Sequence, residues 1–460
     1  MRQRFLWGVI GVLAVHFVAA GIYAARFPPW RAPDEGAHFA YILHLARTQS
    51  LPVFEGMGRG ATYEAHQPPL YYLTSLPIVA PLLRSEGHHQ IALYVLRGIS
   101  TLWGALVVLC AMGAAWLLCP HTLRLSAALT AGLFAALLPM HLLVCASVSN
   151  DAAAGATAAA AWLWLCFVLL RPASDHRAAL RRAFVAGALS GGALLAKSSN
   201  LIVVPLALIA VALAPVQRGG LTTPSKPTEP RQRPLAATVQ WQSPVACLAA
   251  FLMTAGWWLW RNTVLYGDPL AVRAFLEGFA TSPKPNYFLE QLGLSLPTYL
   301  LMVAQVTLFT WLGVFGEPNE AVKGLGRLMQ GTEPTLPFVI LCALIGALLL
   351  VGIGLGSVAT VRQSWCTGTQ RAWAPALAVV LPVLMTLLVF AEFIQFNRHF
   401  FQAQARYFYP AHAAMAVLFA VGVVQTVPTH RLKWGVVGSA SLLAVLSATV
   451  GWLWVPLPAR

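Results

Sequence analysis

The chain contains many uninterrupted apolar runs, and several are long enough to cross a lipid bilayer. An α-helix needs about 20 mostly apolar residues to span the hydrocarbon core. The run from Phe5 to Ala25 has this length, and similar runs recur toward the end of the sequence. Of the 460 residues, 58% are hydrophobic and 10% are charged, and the mean hydropathy is +0.68. We therefore predict an all-α polytopic membrane protein that forms a single integral-membrane domain over residues 1–460.

Eleven apolar runs are predicted to cross the membrane. They cover residues 5–25, 93–119, 125–146, 151–171, 183–197, 200–215, 244–262, 335–357, 372–396, 407–427 and 434–455. The run at 294–316 would be a twelfth span, but counting it would place Arg362 and Lys433 on the outer side. Basic residues favour the cytoplasmic side, so we treat 294–316 as a re-entrant or interfacial segment. The resulting topology has eleven spans and a cytoplasmic N-terminus.

The acidic residues are distributed unevenly between the two sides of this topology. Of fifteen acidic residues, Asp175 and Glu229 are the two that are predicted to lie inside. Acidic residues have little influence on topology, so their concentration outside indicates a functional outer face. The net charge of +15 is accounted for by basic residues beside the spans. No basic stripe with interleaved aromatic residues occurs, so we expect membrane lipids as partners and no nucleic acid.

Three segments between the predicted spans are long enough to carry function. Two of them, residues 26–92 and residues 263–333, are predicted to lie outside, and the second is rich in proline, glycine and aromatic residues. The longest inner segment, residues 216–243, has the proline, threonine and charge content of a flexible loop. The sequence thus predicts a multi-pass protein of the cell (inner) membrane whose functional residues face outward.

The sequence "PDEGAHFAY" near the start of the first outer segment contains two adjacent carboxylates, Asp34 and Glu35. Apolar residues recur after it at intervals of three and four, which predicts a juxtamembrane helix along the outer membrane surface. On that helix Asp34, His38 and Tyr41 share one side, while Glu35 leans toward the apolar face. Asp34 is then either a functional carboxylate or only the N-cap of the helix, and Glu35 suits the first turn.

A second polar cluster, within "YEAHQPPLYY", precedes the return of the chain to the bilayer. Glu64, His66 and Gln67 are candidate substrate-binding residues, although each of them alone is also common in an ordinary loop. Together with Asp34 and His38, these carboxylate and imidazole groups could bind a divalent ion. No ligand spacing in the sequence requires a metal, so we predict no obligatory cofactor and leave a divalent metal open.

Polar residues also interrupt apolar sequence at the predicted outer ends of later spans. They are Asn150 and Asp151 in "SVSND", Lys197 in "ALLAKSSN", Arg261 and Asn262 in "WRNTVLYGDP", and Arg406 and Tyr407 in "ARYFYP". Charged groups at this depth are costly and usually face a cavity or a partner, which makes these residues candidates for substrate binding. The alternative is that the cations only extend toward lipid headgroups.

In this order, the motifs resemble those of the GT-C superfamily of membrane glycosyltransferases, including protein O-mannosyltransferases and aminoarabinose transferases. The resemblance covers essentially the whole chain and rests on "PDEGAHFAY", "HQPPLYY", "SND", "LLAKSS", "WRNTVLYGDP" and "ARYFYP". It implies a GT-C-like helix bundle with outer juxtamembrane helices. It also implies that Asp34 is the catalytic carboxylate, with Glu35 beside it, and that the donor is a sugar on a polyprenyl phosphate.

The chemistry of such a transfer fits these residue types. A carboxylate such as Asp34 can deprotonate or orient an acceptor hydroxyl, and Lys197, Arg261 and Arg406 can stabilise a departing phosphate. We therefore expect a hexosyltransferase-type enzyme that uses a polyprenyl-phosphate-linked sugar. The sequence does not identify the sugar, the lipid or the acceptor, which would be protein, lipid or polysaccharide.

Two other functions use the same residues and stay open at this point. A transporter or flippase for lipid-linked glycans would line its path with polar groups, and it would be expected to place them at mid-span and to contain an internal repeat. A polysaccharide ligase or polymerase would join lipid-linked glycans at the same outer face. Neither mid-span polar groups nor a repeat is visible in the sequence, which favours the glycosyltransferase.

Overall fold

A computed structural model describes residues 2–56, 60–216, 241–313, 336–369 and 373–453 of the chain. Within these ranges the protein consists of α-helices joined by loops and short 3₁₀ or π turns, with no β-strand. The predicted all-α polytopic class is therefore confirmed. The 24 residues from 217 to 240, most of the inner segment predicted to be a flexible loop, lie outside the described residues, as do residues 314–335 of the second outer segment.

The helices are numbered here in chain order. They are α1 (Arg2–Arg26), α2 (Glu35–Thr48), α3 (Leu70–Val79), α4 (His89–Leu118), α5 (Arg124–Leu137), α6 (Pro139–Cys145), α7 (Asn150–Leu170), α8 (His176–Ala196), α9 (Val203–Leu213), α10 (Gln242–Tyr266), α11 (Val272–Gly278), α12 (Leu296–Trp311), α13 (Leu336–Thr369), α14 (Trp373–Asn397), α15 (His412–Thr426) and α16 (Leu432–Leu453). The first outer segment contains α2 and α3, and the described part of the second contains α11 and α12.

Eight helices in the described ranges are long and apolar enough to cross a membrane, or nine if one bent pair is a single span. Each of the eleven predicted runs overlaps one or more of the observed helices. Two apolar segments are short. The 3₁₀ turn and helix at Ser198–Leu213, and the helix α12 in the run at 294–316, have no more than 17 residues each. The polytopic class is thus confirmed, whereas the number of eleven spans stays a prediction.

The bent pair consists of α5 and α6, which meet at 62°. Leu138 lies between them in an extended conformation, because a residue that precedes proline avoids the helical region. Pro139 then begins α6, where its missing N–H is not needed. The bend places the end of α6 and the start of α7 beside the first outer segment, and this region contains the candidate site.

Helices α8 and α10 approach each other closely because α8 has two glycines four residues apart. A Cβ atom at Gly187 would overlap the backbone carbonyl of Cys247, and one at Gly191 would lie 2.7 Å from the Cβ of Thr254. Small residues at this spacing allow helix backbones to come together in membranes. This packing fixes the C-terminal end of α8, where Lys197 follows.

The outer surface of the bundle is apolar while several charged groups are buried. Trp7, Met253 and Trp260 are each more than 60% exposed, whereas Glu35 and Arg97 are fully buried. Apolar groups outside and polar groups inside are expected where lipid surrounds the helices. This pattern supports a multi-pass membrane protein whose polar groups meet within the bundle.

Candidate active site

Asp34 lies directly before α2 and directs its carboxylate away from that helix. Its φ of 58° is in the left-handed region, which few residues other than glycine adopt. The side chain makes no cap hydrogen bond to α2. Instead, its Oδ2 accepts a 2.7 Å hydrogen bond from Nη2 of Arg406. The interpretation of Asp34 as an N-cap only is therefore wrong.

Four charged side chains form an alternating chain that begins at Asp34. Arg406 contacts Asp34 through Nη2, and its Nη1 lies 3.9 Å from Oδ2 of Asp151. Lys197 donates to Oδ1 of the same Asp151. The four residues come from the first outer segment, the start of α7, the end of α8 and the 3₁₀ turn that precedes α15. The fold thus brings together two acids and two bases that are up to 372 residues apart in sequence.

Local structure positions Asp151 and its partners. Ser149 is the N-cap of α7, and its side chain accepts from the backbone N–H of Asp151 at 3.1 Å. Asp151 is then in the first turn of the helix, where the helix dipole favours a carboxylate. Both cations lie near the ring of Tyr407, with Nζ of Lys197 and the guanidinium carbon of Arg406 each 5.4 Å from its centroid. Cations at this distance from an aromatic face are held in place electrostatically.

The pKa of Asp34 reflects these contacts. Burial alone would raise the pKa of this carboxyl, but the charge of Arg406 and the imidazole of His38 outweigh it, so the pKa lies below its usual 3.8. The Asp34 side chain is 27% exposed, whereas that of Arg406 is 14% exposed. Asp34 is therefore ionised at neutral pH and remains open to a ligand on one side.

A narrow cleft adjoins the charged chain. Its apolar wall includes Met140, Leu143 and Val144 of α6, and its polar end includes Asp151 and Arg406. The remaining lining residues are Pro33, Ser147, Ser149, Thr310 and Gln404. An apolar wall beside an arginine suits a ligand with an apolar tail and an anionic head.

Two histidines of the first outer segment lie near the charged chain and are neutral. Nδ1 of His38 lies 2.8 Å from the hydroxyl of Tyr72, and burial lowers the pKa of His38 to about 4. Burial likewise lowers the pKa of His66 to about 3. Nδ1 of His66 faces the carbonyl of Tyr63 at 3.2 Å, so this nitrogen carries the proton because a carbonyl can only accept.

Glu64 is buried beside the charged chain, and its Oε2 has no hydrogen-bond partner among the described residues. Burial raises the pKa of this carboxyl well above its usual 4.5, and the negative charge of Asp34 raises it further. Asp34 and Glu64 therefore have pKa values that are shifted in opposite directions. Two nearby carboxyls whose pKa values are shifted apart are a frequent feature of catalytic sites.

Asn150 and Gln67 connect the first outer segment to the ends of α7 and α8. Nδ2 of Asn150 donates to Oε1 of Gln67 at 3.0 Å and to the carbonyl of Ala196 at 3.1 Å. Nε2 of Gln67 lies 3.1 Å from Nε2 of His66. These contacts place the second polar cluster next to Lys197, which follows Ala196.

Two solved structures are similar to this chain over nearly its whole length. The oligosaccharyltransferase AglB from Archaeoglobus fulgidus, in complex with an inhibitory peptide and a dolichol-phosphate, matches with a TM-score of 0.53 at 14% identity, covering 98% of this chain and 56% of that chain. ArnT from Cupriavidus metallidurans, bound to undecaprenyl phosphate, matches with a TM-score of 0.51 at 14% identity, covering 96% of this chain and 75% of that chain.

Both structures are GT-C glycosyltransferases, so the comparison decides the fold. The chain has the GT-C membrane fold. It spans about half the length of the archaeal oligosaccharyltransferase that it matches. No protein-family model and no curated sequence matches it significantly. The likeness confirms the fold that the resemblance of the sequence motifs implied.

Within this GT-C fold, Glu35 lies apart from the charged chain, and its assignment as a catalytic residue stays a prediction that its contacts do not favour. Glu35 is fully buried, and both its oxygens accept hydrogen bonds from Arg97, at 2.9 and 2.8 Å. The backbone N–H groups of Trp30 and Val148 donate to it as well. These partners occupy both oxygens, so Glu35 fixes the loop before α2 against α4 and α7.

Arg261 and Asn262 lie at the end of α10, and the hydrogen bonds described for them go to backbone carbonyls. Nη2 of Arg261 donates to the carbonyl of Pro52 at 2.7 Å, and its guanidinium lies over the ring of Trp258. Nδ2 of Asn262 donates to the carbonyl of Pro269 at 3.1 Å. Nη1 of Arg261 is buried without a hydrogen-bond partner among the described residues. A role in substrate binding therefore stays a prediction for both residues.

Some residues that complete the site carried no signal in the sequence. Tyr72 bonds His38 and stacks on Tyr41 with a ring separation of 3.8 Å, yet it reads as one of several aromatic residues in an apolar run. Arg97 lies within a predicted span and is fully buried. A lone arginine within a predicted span was the signal that could have predicted a buried partner such as Glu35.

The possibility of a divalent ion among Asp34, His38, Glu64 and His66 finds no support in the geometry. In the described part of the chain, the one group of three or more ligand atoms close enough for an ion lies elsewhere. In the charged chain, Arg406 takes the position beside Asp34 that a metal cation would take.

Proposed function

We propose that this chain is a membrane glycosyltransferase that transfers a sugar from a polyprenyl-phosphate-linked donor to an acceptor hydroxyl at the outer face of the cytoplasmic membrane. The observation that carries the proposal is the ion pair of Asp34 and Arg406 at the polar end of an apolar cleft, within a GT-C fold. The similar structure of ArnT contains undecaprenyl phosphate, and that of AglB contains a dolichol-phosphate. Both lipids belong to the proposed class of carrier.

The donor lipid is expected to enter along the apolar wall of the cleft. Met140, Leu143 and Val144 would contact the first isoprene units, and the phosphate would then lie near Arg406 and Lys197. An arginine can offer two N–H groups to two phosphate oxygens, whereas a lysine acts as a compact charge. Asp151 lies between the two cations and keeps them in place before the phosphate arrives.

The transfer step exchanges one bond at the anomeric carbon of the sugar for another. The oxygen of the acceptor hydroxyl forms a bond to this carbon, and the bond from the carbon to the phosphate oxygen breaks. The hydroxyl proton passes to the carboxylate of Asp34, and the polyprenyl phosphate leaves with the electron pair. Asp34 supplies the base of this step, and the two cations stabilise the charge that develops on the phosphate.

Arg406 couples donor binding to the basicity of Asp34. While Arg406 pairs with Asp34, the pKa of Asp34 is held below its usual value, and a carboxylate of low pKa is a weak base. A donor phosphate that draws Arg406 away removes part of that charge, so the pKa of Asp34 rises toward a more effective range. The base would then be activated only when donor is present, which limits wasteful reaction with water.

A polysaccharide ligase or polymerase would use the same residues with a longer lipid-linked glycan as donor. A flippase, by contrast, would move the lipid across the membrane and leave the bond to phosphate intact. The polar end of the cleft lies at the ends of several helices, which favours chemistry at one face. Release of free polyprenyl phosphate separates transfer from flipping.

The function is tested by comparing surface glycans of a strain that lacks the protein with those of a complemented strain. Mass spectrometry is expected to show a hexose or related sugar that disappears in the deletion strain and returns with the wild-type gene. In membranes from the complemented strain, a synthetic polyprenyl-phosphate sugar is expected to yield free polyprenyl phosphate. Glycans that do not change, together with a donor that stays intact, would contradict the proposal.

A further inference from the structure

A second group of chemically reactive side chains lies in the interior of the bundle, between α1 and α6. It consists of His16 of α1 and of His141 and Cys145 of α6, and all three are fully buried. One potential ligand atom from each residue lies within 4.8 Å of the other two. His141 and Cys145 are four residues apart and therefore share one face of α6. None of these residues takes part in the proposed transfer.

Hydrogen bonds orient the two imidazole rings toward each other. Nε2 of His16 lies 3.1 Å from the carbonyl oxygen of Thr101, and a carbonyl can only accept, so Nε2 carries the proton and Nδ1 keeps its lone pair. Nδ1 of His141 lies 2.8 Å from the hydroxyl of Tyr409. Nε2 of His141 therefore faces Nδ1 of His16, and Sγ of Cys145 lies beside Nε2 of His141.

Two of the three separations within the cluster match those of ligands around one metal ion, and the third is within 4.8 Å. Nε2 of His141 is 3.4 Å from Nδ1 of His16 and 3.5 Å from Sγ of Cys145. Tetrahedral zinc, with bonds of about 2.0–2.1 Å to nitrogen and 2.3 Å to sulfur, places two nitrogens about 3.3–3.4 Å apart and nitrogen and sulfur about 3.5–3.6 Å apart. The distance between the two nitrogens is long for an ordinary hydrogen bond between imidazoles in a packed core.

A glycine provides the room for this cluster. A Cβ atom at Gly104 of α4 would overlap Sγ of Cys145 and would lie 3.2 Å from the His16 ring. The outer nitrogens of both rings are bonded to groups of other helices, as metal-binding histidines commonly are. The cluster thus has facing donor atoms, a glycine that admits the sulfur beside α4, and partners that fix the rings.

We propose that His16, His141 and Cys145 bind a thiophilic transition-metal ion, zinc or copper. Thiolate favours zinc and copper(I), and imidazole accepts both metals, so these two satisfy the whole set of donors. On binding, the thiol of Cys145 loses its proton to water and the sulfur bonds to the metal as a thiolate. The ion would join α1 to the helix that follows the bend.

The proposed metal site would help to position two segments of the candidate active site. Tyr409, which bonds His141, is three residues beyond Arg406 in the same 3₁₀ turn. The C-terminal end of α6, which carries Cys145, leads directly to Ser149 and Asp151. A metal at this position would therefore hold the two segments that supply Arg406 and Asp151.

The test is the metal content of the full-length protein purified in detergent with a tag that contains neither histidine nor cysteine. Elemental mass spectrometry is expected to find about one zinc or copper ion per chain in the wild type. Cys145→Ser and His141→Gln should each lower this content at least fivefold. Cys166→Ser is the matched control, because Cys166 is a buried cysteine of α7 outside the cluster, and it should retain the ion.

A second measurement does not depend on variants that lack a proposed ligand. Wild-type protein produced in cobalt-supplemented, zinc-depleted medium should absorb in the thiolate-to-cobalt charge-transfer region, and Cys166→Ser should absorb equally. Zinc or copper content below one ion in five chains, or bound cobalt without a thiolate band, would overturn the proposal. An equal metal content in wild type and in a folded Cys145→Ser variant would overturn it as well.

Discussion

Replacement of Arg97 by methionine is expected to destabilise the protein strongly, although Arg97 lies outside the proposed chemistry. Its guanidinium makes two hydrogen bonds to Glu35, two to the carbonyls of Ala24 and Phe27 and one to that of Pro28, at 2.8–3.1 Å. Both charged side chains have no exposed surface. Methionine keeps most of the volume but leaves a carboxylate and three carbonyls without their donor.

The expected loss follows from this geometry. Breaking a buried ion pair by removing one partner costs about 3–5 kcal/mol, because the remaining charge is buried and uncompensated. Folded proteins commonly have a total stability of about 5–15 kcal/mol, so this loss is a large share. Glu35→Gln should cost a similar amount, and the double variant should cost less than the sum of both because the second change removes the stranded charge.

Thermal unfolding in detergent, followed by near-ultraviolet circular dichroism, measures these effects. Arg84→Met is the control, because Arg84 is an exposed arginine of the outer segment that contains Glu35. The control should unfold with the wild type, while Arg97→Met and Glu35→Gln should unfold at clearly lower temperatures. If Glu35→Gln keeps wild-type stability and loses turnover, the structural role assigned to Glu35 is refuted and the predicted catalytic role is supported.

Three further predictions concern the donor, Glu64 and the topology. Alanine at Lys197 or Arg406 should lower donor use at least about tenfold, on the order of 1.4 kcal/mol in the transition state; unchanged kinetics with a synthetic donor would reduce both to membrane anchors. Because the pKa of Glu64 is raised in the folded state, its contribution to stability is complete below about pH 4.5 and is lost as pH rises through the folded pKa. The melting temperature of the wild type relative to Glu64→Gln should therefore fall as pH rises above 4.5, and a constant difference would show that Glu64 is not buried as described. Single cysteines that replace the exposed Ser85 and Ser174 should react oppositely with an impermeant thiol reagent in intact cells, after native cysteines are removed; labelling at position 174 alone would reverse the topology.

The sequence was sufficient to predict the class of fold because membrane spans depend on local composition. A run such as Phe5–Ala25 is apolar enough to be recognised without any tertiary information, and it lies within α1. The bend before Pro139 was less visible, because the run at 125–146 appears continuous in hydropathy. Its angle depends on the extended conformation of Leu138, which the residue before a proline favours but does not require.

The site was predictable in part for the same physical reason. Charged residues at helix ends inside apolar sequence are costly, and this rule correctly identified Asp151, Lys197 and Arg406 as polar interruptions with partners. The rule could not say which charges pair, because pairing depends on the packing of helices that are far apart in sequence. Glu35 illustrates the limit, since it is adjacent to Asp34 in sequence but has a different partner and a different environment.

The central claim is that Asp34 is the catalytic base, and Asp34→Asn tests it most directly. The amide keeps the shape of the side chain but loses its charge and its basicity. Glu55→Gln is the matched control, because Glu55 is an exposed carboxylate of the same outer segment. In membranes with equal amounts of each protein, release of polyprenyl phosphate from a synthetic donor should fall by at least about a hundredfold in Asp34→Asn and stay at the wild-type level in Glu55→Gln. Wild-type turnover by a well-expressed Asp34→Asn variant would contradict the account.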